Sequence, residues 1–255
     1  MPSEDPMARD LYLDLLKRVL TNVIYEDPPI PNPVFDGQEF NPWARNTGSD
    51  WPSVAHTMVG MARLNNVQHC LERAIADGVP GDFIETGVWR GGVCILARGL
   101  FKAYGITDRK VWVADSFEGM PVIDQSGHPD DQRLLLHEHN AVLGVTAKVV
   151  RDNFDRYGLL DDQVEFLVGW FRDTLPTAPI RQLSVLRLDG DLYESTRDAL
   201  TSLYPKLSPG GYVIVDDYLM PGCRAAVEEF RAQHGMEHDP IERVDRWSVY
   251  WRRSR

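Results

Sequence analysis

Between residues 80 and 233, short apolar runs alternate with amphipathic helical segments, and this alternation limits the folds open to the chain more than any other feature. Residues 82–86, 111–116, 164–168, 183–188 and 212–216 read as strands, and residues 92–104, 148–157, 195–207 and 223–233 read as helices. Runs such as Val111-Trp112-Val113-Ala114 and Val213-Ile214-Val215 are apolar without a break, the pattern of strands covered on both faces. Such a succession requires right-handed crossovers, and therefore a doubly wound, mainly parallel α/β sheet. Residues 241–245 and 248–252, with only Arg246-Trp247 between them, read as an antiparallel hairpin at the sheet edge and bring the expected sheet to seven strands.

Upstream the pattern differs. Leu11, Leu15, Leu16, Val19, Leu20, Val23 and Ile24 recur at helical spacing over residues 8–25. Pro28, Pro29, Pro31, Pro33, Asp36-Gly37 and Asn41-Pro42 follow and carry loop chemistry. A second helix is expected over residues 53–76, stopping at Asp77-Gly78. Residues 1–79 thus form an N-terminal helical and proline-rich segment suited to substrate contact, and residues 80–255 a ligand-binding domain. Within that domain, residues 117–144 are too long for a simple link and hold Gly119, Pro121, Gly127, Pro129 and Leu134-Leu135-Leu136. A lid is the expected form.

The charge balance narrows the partners. Against 38 Asp and Glu stand 27 Lys and Arg, a formal net charge of -11. That surface repels phosphate backbones and anionic lipid. Cys70, Cys94 and Cys223 form no C-x-x-C pair and read as reduced structural thiols. The first six residues are acidic and lead into no apolar signal region, and no apolar run is long enough to span a bilayer. A cytoplasmic protein with no nucleic-acid or membrane partner is expected, acting on a small molecule and assembling as a homo-oligomer.

The chemistry-bearing residues lie at strand ends. The first strand closes on Glu85-Thr86-Gly87-Val88-Trp89-Arg90-Gly91-Gly92. A strand, a glycine turn and a helix start form the ligand crevice of doubly wound folds. The pattern departs from G-x-G-x-x-G. Glu85 would repel a pyrophosphate, whereas a carboxylate there suits the ammonium and sulfonium end of S-adenosylmethionine. Asp115, before Ser116 at the end of the second strand, is placed to accept from both ribose hydroxyls of an adenosine cofactor. Gly169 and Trp170, after the third strand, are placed to flank the adenine, with a core position as the alternative for Trp170.

The fourth strand ends in Asp189-Gly190-Asp191 and the fifth in Asp216-Asp217. Carboxylates converging at one sheet edge repel one another unless a cation neutralises them. Hard oxygen ligands of this kind select Mg²⁺, Ca²⁺ or Mn²⁺. His137-Glu138-His139 lacks the i, i+4 spacing of a helical zinc pair and reads as surface or substrate-contacting. His56, expected on the second helix, reads as a satisfied histidine first and a substrate contact second.

These segments resemble the macrocin O-methyltransferase family, deoxysugar O-methyltransferases of macrolide and aminocoumarin antibiotic biosynthesis. The likeness runs through residues 85–92, Val113-Ala114-Asp115-Ser116-Phe117, Gly169-Trp170-Phe171, Asp189-Gly190-Asp191 and Asp216-Asp217-Tyr218. It extends to residues 11–18, Ala55-His56-Thr57-Met58 and residues 249–254. The proline-rich residues 25–31 and Asp50-Trp51-Pro52 look closer to its noviose 4-O-methyltransferase branch than to its macrolide branch. The resemblance implies a Rossmann-like class I fold and Mg²⁺-dependent methyl transfer from S-adenosylmethionine to a deoxysugar hydroxyl of a glycosylated natural product. On this reading Glu85, Thr86, Gly87, Asp115, Ser116, Gly169 and Trp170 bind the cofactor. Asp189, Asp216 and Asp217 ligate Mg²⁺, and Asp191 is the general base, with Asp189 as the alternative. Two other classes compete. A nicotinamide oxidoreductase wants the three-glycine fingerprint and no carboxylate at position 85, and a non-catalytic binding protein has no use for converging aspartates.

Overall fold

The computed structural model describes residues 6–32, 35–125 and 127–254. The acidic residues 1–5 and Pro33 of the proline-rich stretch lie outside the described residues. In chain order the elements are α1 (Pro6–Leu20), β1 (Pro29–Ile30), α2 (Pro42–Thr47), β2 (Trp51–Pro52), α3 (Gly60–Ala76), β3 (Asp82–Thr86), α4 (Gly92–Ala103) and β4 (Val111–Asp115). They continue with α5 (Asn140–Leu143), α6 (Ala147–Arg156), β5 (Val164–Val168), α7 (Phe171–Thr174), β6 (Leu183–Leu188), α8 (Tyr193–Leu203), β7 (Leu207–Val215), α9 (Pro221–Gln233), β8 (Glu242–Arg243) and β9 (Val249–Arg252).

β3 to β9 form one seven-stranded sheet in the order β5-β4-β3-β6-β7-β9-β8. β3 to β7 pair in parallel, and β9 and β8 pair antiparallel. The expected doubly wound sheet is therefore present. Its strand order reverses between β3 and β6, where such sheets open a crevice beyond the strands' carboxyl ends.

Alternation along the strands divides the core in two. Phe83, Val111, Val113, Val185 and Ile214 face α1, α3 and α4, where Leu13, Leu16, Leu64, Leu71 and Ile95 meet them. Ile84, Trp112, Leu186, Val213 and Trp251 face α8 and α9, against Leu200, Leu203, Val227 and Phe230. The N-terminal helices thus share a core with the sheet. On α1 the buried face is Leu13, Leu16 and Leu20, while Leu11 and Leu15 point outward.

Four expectations need correction. The helix read over residues 53–76 begins only at Gly60, because the N–H groups of His56 and Thr57 are spent on the carbonyl of Leu20. His56 is therefore not helical. Asn41-Pro42 is the start of α2 rather than loop: Asn41 Oδ1 accepts from the Ala44 N–H, and proline stands where no donor is needed. β7 begins at Leu207, with the register shifting before Tyr212. The final hairpin has a longer loop than Arg246-Trp247, closed by the Val244 N–H on the Ser248 carbonyl.

The 117–144 connection carries two 3-10 turns, Asp131–Arg133 and Leu136–His139, and then α5. It is tied down at its far end by Trp89 Nε1, which donates to the Val142 carbonyl at 3.0 Å. Arg90, stacked over Trp89, donates to the carbonyls of Pro52 and Ala55. The turn after β3 therefore holds both the N-terminal segment and the long connection. Among the described residues no helix is long and apolar enough to cross a membrane.

Candidate active site

A cavity of about 820 Å³ opens at the carboxyl ends of β3, β4, β6 and β7. Its floor is the β3–α4 turn. Gly87 has φ +90°, and a Cβ on it would come within 1.8 Å of the Asp189 carbonyl oxygen. Glycine is needed there for both reasons, and the two strand ends can then lie side by side.

Asp115 lines this cavity. Its Oδ2 accepts from the Val88 N–H and its Oδ1 from the Phe117 N–H, each at 2.8 Å. Burial pushes its carboxyl above the usual range, while those N–H groups pull it back. The carboxylate is pinned by two turns at the cavity wall. Ser116 donates to the Gly119 carbonyl at 3.0 Å and lines the same wall. Trp170 lines it from the end of β5, whereas Thr86 and Gly169 are not among the lining residues.

Glu85 is 1% exposed, and both of its oxygens are engaged. Oε1 accepts from Arg187 Nη1 at 2.5 Å and Oε2 from Cys94 Sγ at 3.0 Å. Arg187, directly across from it on β6, also donates to Asp189 Oδ2 at 2.6 Å and to Asp216 Oδ1. The second oxygen of Asp216 accepts from Arg63 Nη1 of α3, whose Nε reaches Asp245 at 3.0 Å. Neither arginine is among the site residues expected from the sequence, although Arg187 interrupts an apolar strand. Part of the neutralisation assigned there to a metal is supplied by these two side chains.

The remaining negative charge is substantial. One oxygen each of Asp189, Asp216 and Asp217 lie within 4.8 Å of one another. Asp217 makes no ion pair among the described residues. Burial, with Asp191 and Asp189 nearby, pushes its carboxyl well up. Asp191 is raised to about 7 by burial and by Asp189 and Asp216. It holds a left-handed φ of +59° and donates its N–H to Asp217 Oδ2 at 3.0 Å. Two guanidiniums thus face six carboxylates, and a hard dication fits a donor set of this chemistry.

The histidines singled out in the sequence do not line this cavity. His56 Nδ1 lies 2.8 Å from the Tyr157 hydroxyl. His139 meets the edge of Trp51, with ring centroids 5.4 Å apart.

Comparison with known proteins decides the family. Residues 9–253 match the macrocin O-methyltransferase family model. The chain belongs to the macrocin O-methyltransferase family. It is 60% identical over 246 residues to the 8-demethyl-8-(2,3-dimethoxy-α-L-rhamnosyl)-tetracenomycin-C 4'-O-methyltransferase of Streptomyces olivaceus, covering 96% of this chain and 93% of that protein. It is 56% identical to the mycinamicin III 3''-O-methyltransferase of Micromonospora griseorubida, covering 96% and 97%. The demethyldecarbamoylnovobiocin O-methyltransferase of Streptomyces niveus is 54% identical, with 96% and 94% covered. The solved structure of the O-methyltransferase NovP superposes with a TM-score of 0.92 at 53% identity, covering 97% of this chain and 100% of that one. The fold is therefore that of a class I methyltransferase, and membership implies S-adenosylmethionine as methyl donor.

Proposed function

We propose that this chain methylates a deoxysugar hydroxyl of a glycosylated natural product, using S-adenosylmethionine and a Mg²⁺ ion held by Asp189, Asp216 and Asp217. The observation that carries this reading is the carboxylate excess at the ends of β6 and β7, inside a cavity that also contains Asp115 and the Gly87 turn. The three relatives are named for methyl transfer to rhamnosyl tetracenomycin, mycinamicin and novobiocin intermediates, which supports a glycoside acceptor.

A sugar hydroxyl is a poor nucleophile near neutral pH, and a divalent cation beside it lowers the cost of the negative charge that develops on its oxygen. Asp115 holds the cofactor ribose, with Trp170 against the adenine. Asp191 takes the hydroxyl proton. Asp189, the alternative base, has one oxygen committed to Arg187. Arg187 and Arg63 fix Asp216, so that its orientation does not depend on the ligand. The lining residues of the 117–144 connection, among them Met120, Val122, Ile123 and Leu136, cover the acceptor and exclude water.

The test offers the three demethylated glycosides for which the relatives are named, with S-adenosylmethionine, to the chelated and the Mg²⁺-loaded protein. A gain of one methyl by mass spectrometry, lost on chelation and restored by Mg²⁺, is expected. Calorimetry of Mg²⁺ with S-adenosylhomocysteine present reads the ion independently of turnover. Full activity in exhaustively chelated protein refutes the metal, and no methylation of any glycoside refutes the acceptor class.

A further inference from the structure

Asp131, on the first 3-10 turn of the 117–144 connection, is 2% exposed. A carboxylate is withdrawn from water at large cost unless donors meet it. Its Oδ2 accepts from the Tyr193 N–H at 2.8 Å. Tyr193 opens α8, and the residue at the cap position, Leu192, has no side-chain oxygen to offer. Asp131 therefore caps α8 from a separate segment of chain, with its charge at the favourable end of the helix dipole.

The fit around it is specific. Oδ1 has no donor among the described residues and lies against Gly222 at the start of α9, where a Cβ would come within 2.1 Å of it. The His128 ring stacks on that of Tyr193, with centroids 4.3 Å apart and planes 13° apart. The capped turn follows Asp189-Gly190-Asp191 directly and carries Leu192, Glu194 and Ser195 into the cavity wall. Leu134 and Leu136, just past Asp131, line the same cavity.

We propose that Asp131 is a positioning residue that latches the 117–144 connection closed over the acceptor by capping α8, with Gly222 kept small to admit it. The proposal rests on the reading that a glycoside occupies the cavity beneath this connection. Asp131 does not act on the reacting atoms. It sets the fraction of molecules whose cavity is covered, and that fraction scales the apparent acceptor affinity.

Arg133 is exposed beside Asp131, so the rate of tryptic cleavage after it times the opening of the latch. Asp131→Ala raises that rate by roughly three- to thirty-fold, the size of a lost N-cap. Asp131→Asn, whose amide oxygen still accepts from Tyr193, stays within about twofold of the wild type on the same grounds. Gly222→Ala speeds cleavage as well, although alanine is the better helix former. In steady state, Asp131→Ala raises the KM of the methylated glycoside in proportion to the loss of the covered fraction, a smaller factor than the rise in the open fraction that cleavage reads, with kcat unchanged. Unaltered binding of S-adenosylhomocysteine shows that each variant is folded. Cleavage of Asp131→Ala at the wild-type rate overturns the latch, as does an Asn variant impaired as severely as the Ala variant. Faster cleavage with unchanged KM also overturns it while leaving methyl transfer intact. Failure of the wild type to methylate any of the three glycosides overturns the reading, and the latch falls with it.

Discussion

Arg187 and Glu85 face each other across neighbouring parallel strands, 2.5 Å apart, and neither side chain reaches solvent. The pair belongs to a larger group, since Arg187 also serves Asp189 and Asp216. Removing one partner of a buried ion pair is more damaging than replacing both, because it strands an uncompensated charge.

Arg187→Met is accordingly expected to cost about 3–5 kcal/mol of unfolding free energy, read from the urea midpoint. Adding Glu85→Gln recovers part of the loss, because one of the stranded charges is gone. A single variant within about 1 kcal/mol of the wild type, where surface ion pairs fall, would show that the cluster is solvated in solution.

Asp115→Ala is expected to weaken S-adenosylhomocysteine by about 1–3 kcal/mol, the penalty of stranded partners. Two effects combine. The ribose loses its acceptor, and the N–H groups of Val88 and Phe117 lose theirs, so the turns that form the cofactor crevice slacken. Calorimetry of the folded variant checks this, and undiminished affinity removes Asp115 from the cofactor site.

His56 gives a pH dependence whose sign follows from its surroundings. Burial first, then Arg156 and Arg90, hold it down to about 4 from an ordinary 6.5. Between those values the unfolded chain binds a proton that the folded chain refuses. Its contribution is thus fully present above about pH 6.5 and is lost as the pH falls towards 4. His56→Gln keeps a polar partner for Tyr157 and removes the titration. Urea midpoints of the wild type should drop more than those of the variant between neutral pH and about pH 5. Equal drops would mean that His56 is protonated in the folded state.

What was legible in the sequence divides along physical lines. The strands were readable because burial on both faces leaves unbroken apolar runs, and the aspartates because parallel strands deliver their carboxyl ends to one edge. Asn41-Pro42 was misread because the residues that cap a helix also make turns; only the Asn41–Ala44 hydrogen bond separates the two. Arg63 was invisible as a site residue. It sits on an amphipathic helix 153 positions from Asp216, and only the sheet order brings them together. Arg187 carried a signal, a charge inside a strand buried along its whole length, which points to a paired partner on the adjacent strand. Asp131 carried none, since a lone Asp in a long connection is ordinarily solvated.

Asp191→Asn should lower kcat by roughly 10²- to 10⁴-fold, the usual loss for a removed general base, while leaving Mg²⁺ and cofactor affinity nearly unchanged. The substitution is conformationally mild. Asp191 occupies a left-handed φ of +59°, which asparagine also tolerates, and its contact to Asp217 is made by the backbone N–H. The turn at the end of β6 therefore survives, and what is lost is the ability to take a proton at neutral pH. Asp217→Asn provides the contrast. Asp217 lies within the three-aspartate cluster, so this change should appear first as weaker Mg²⁺ binding by calorimetry, with the rate restored in part by excess ion. Raised pH rescues Asp191→Asn in part, because more of the acceptor hydroxyl ionises unaided, and does not rescue Asp217→Asn in low Mg²⁺. If Asp191→Asn instead loses Mg²⁺ affinity and recovers in excess ion, Asp191 is a ligand, and Asp189, already bonded to Arg187 through one oxygen, is left to take the proton with the other.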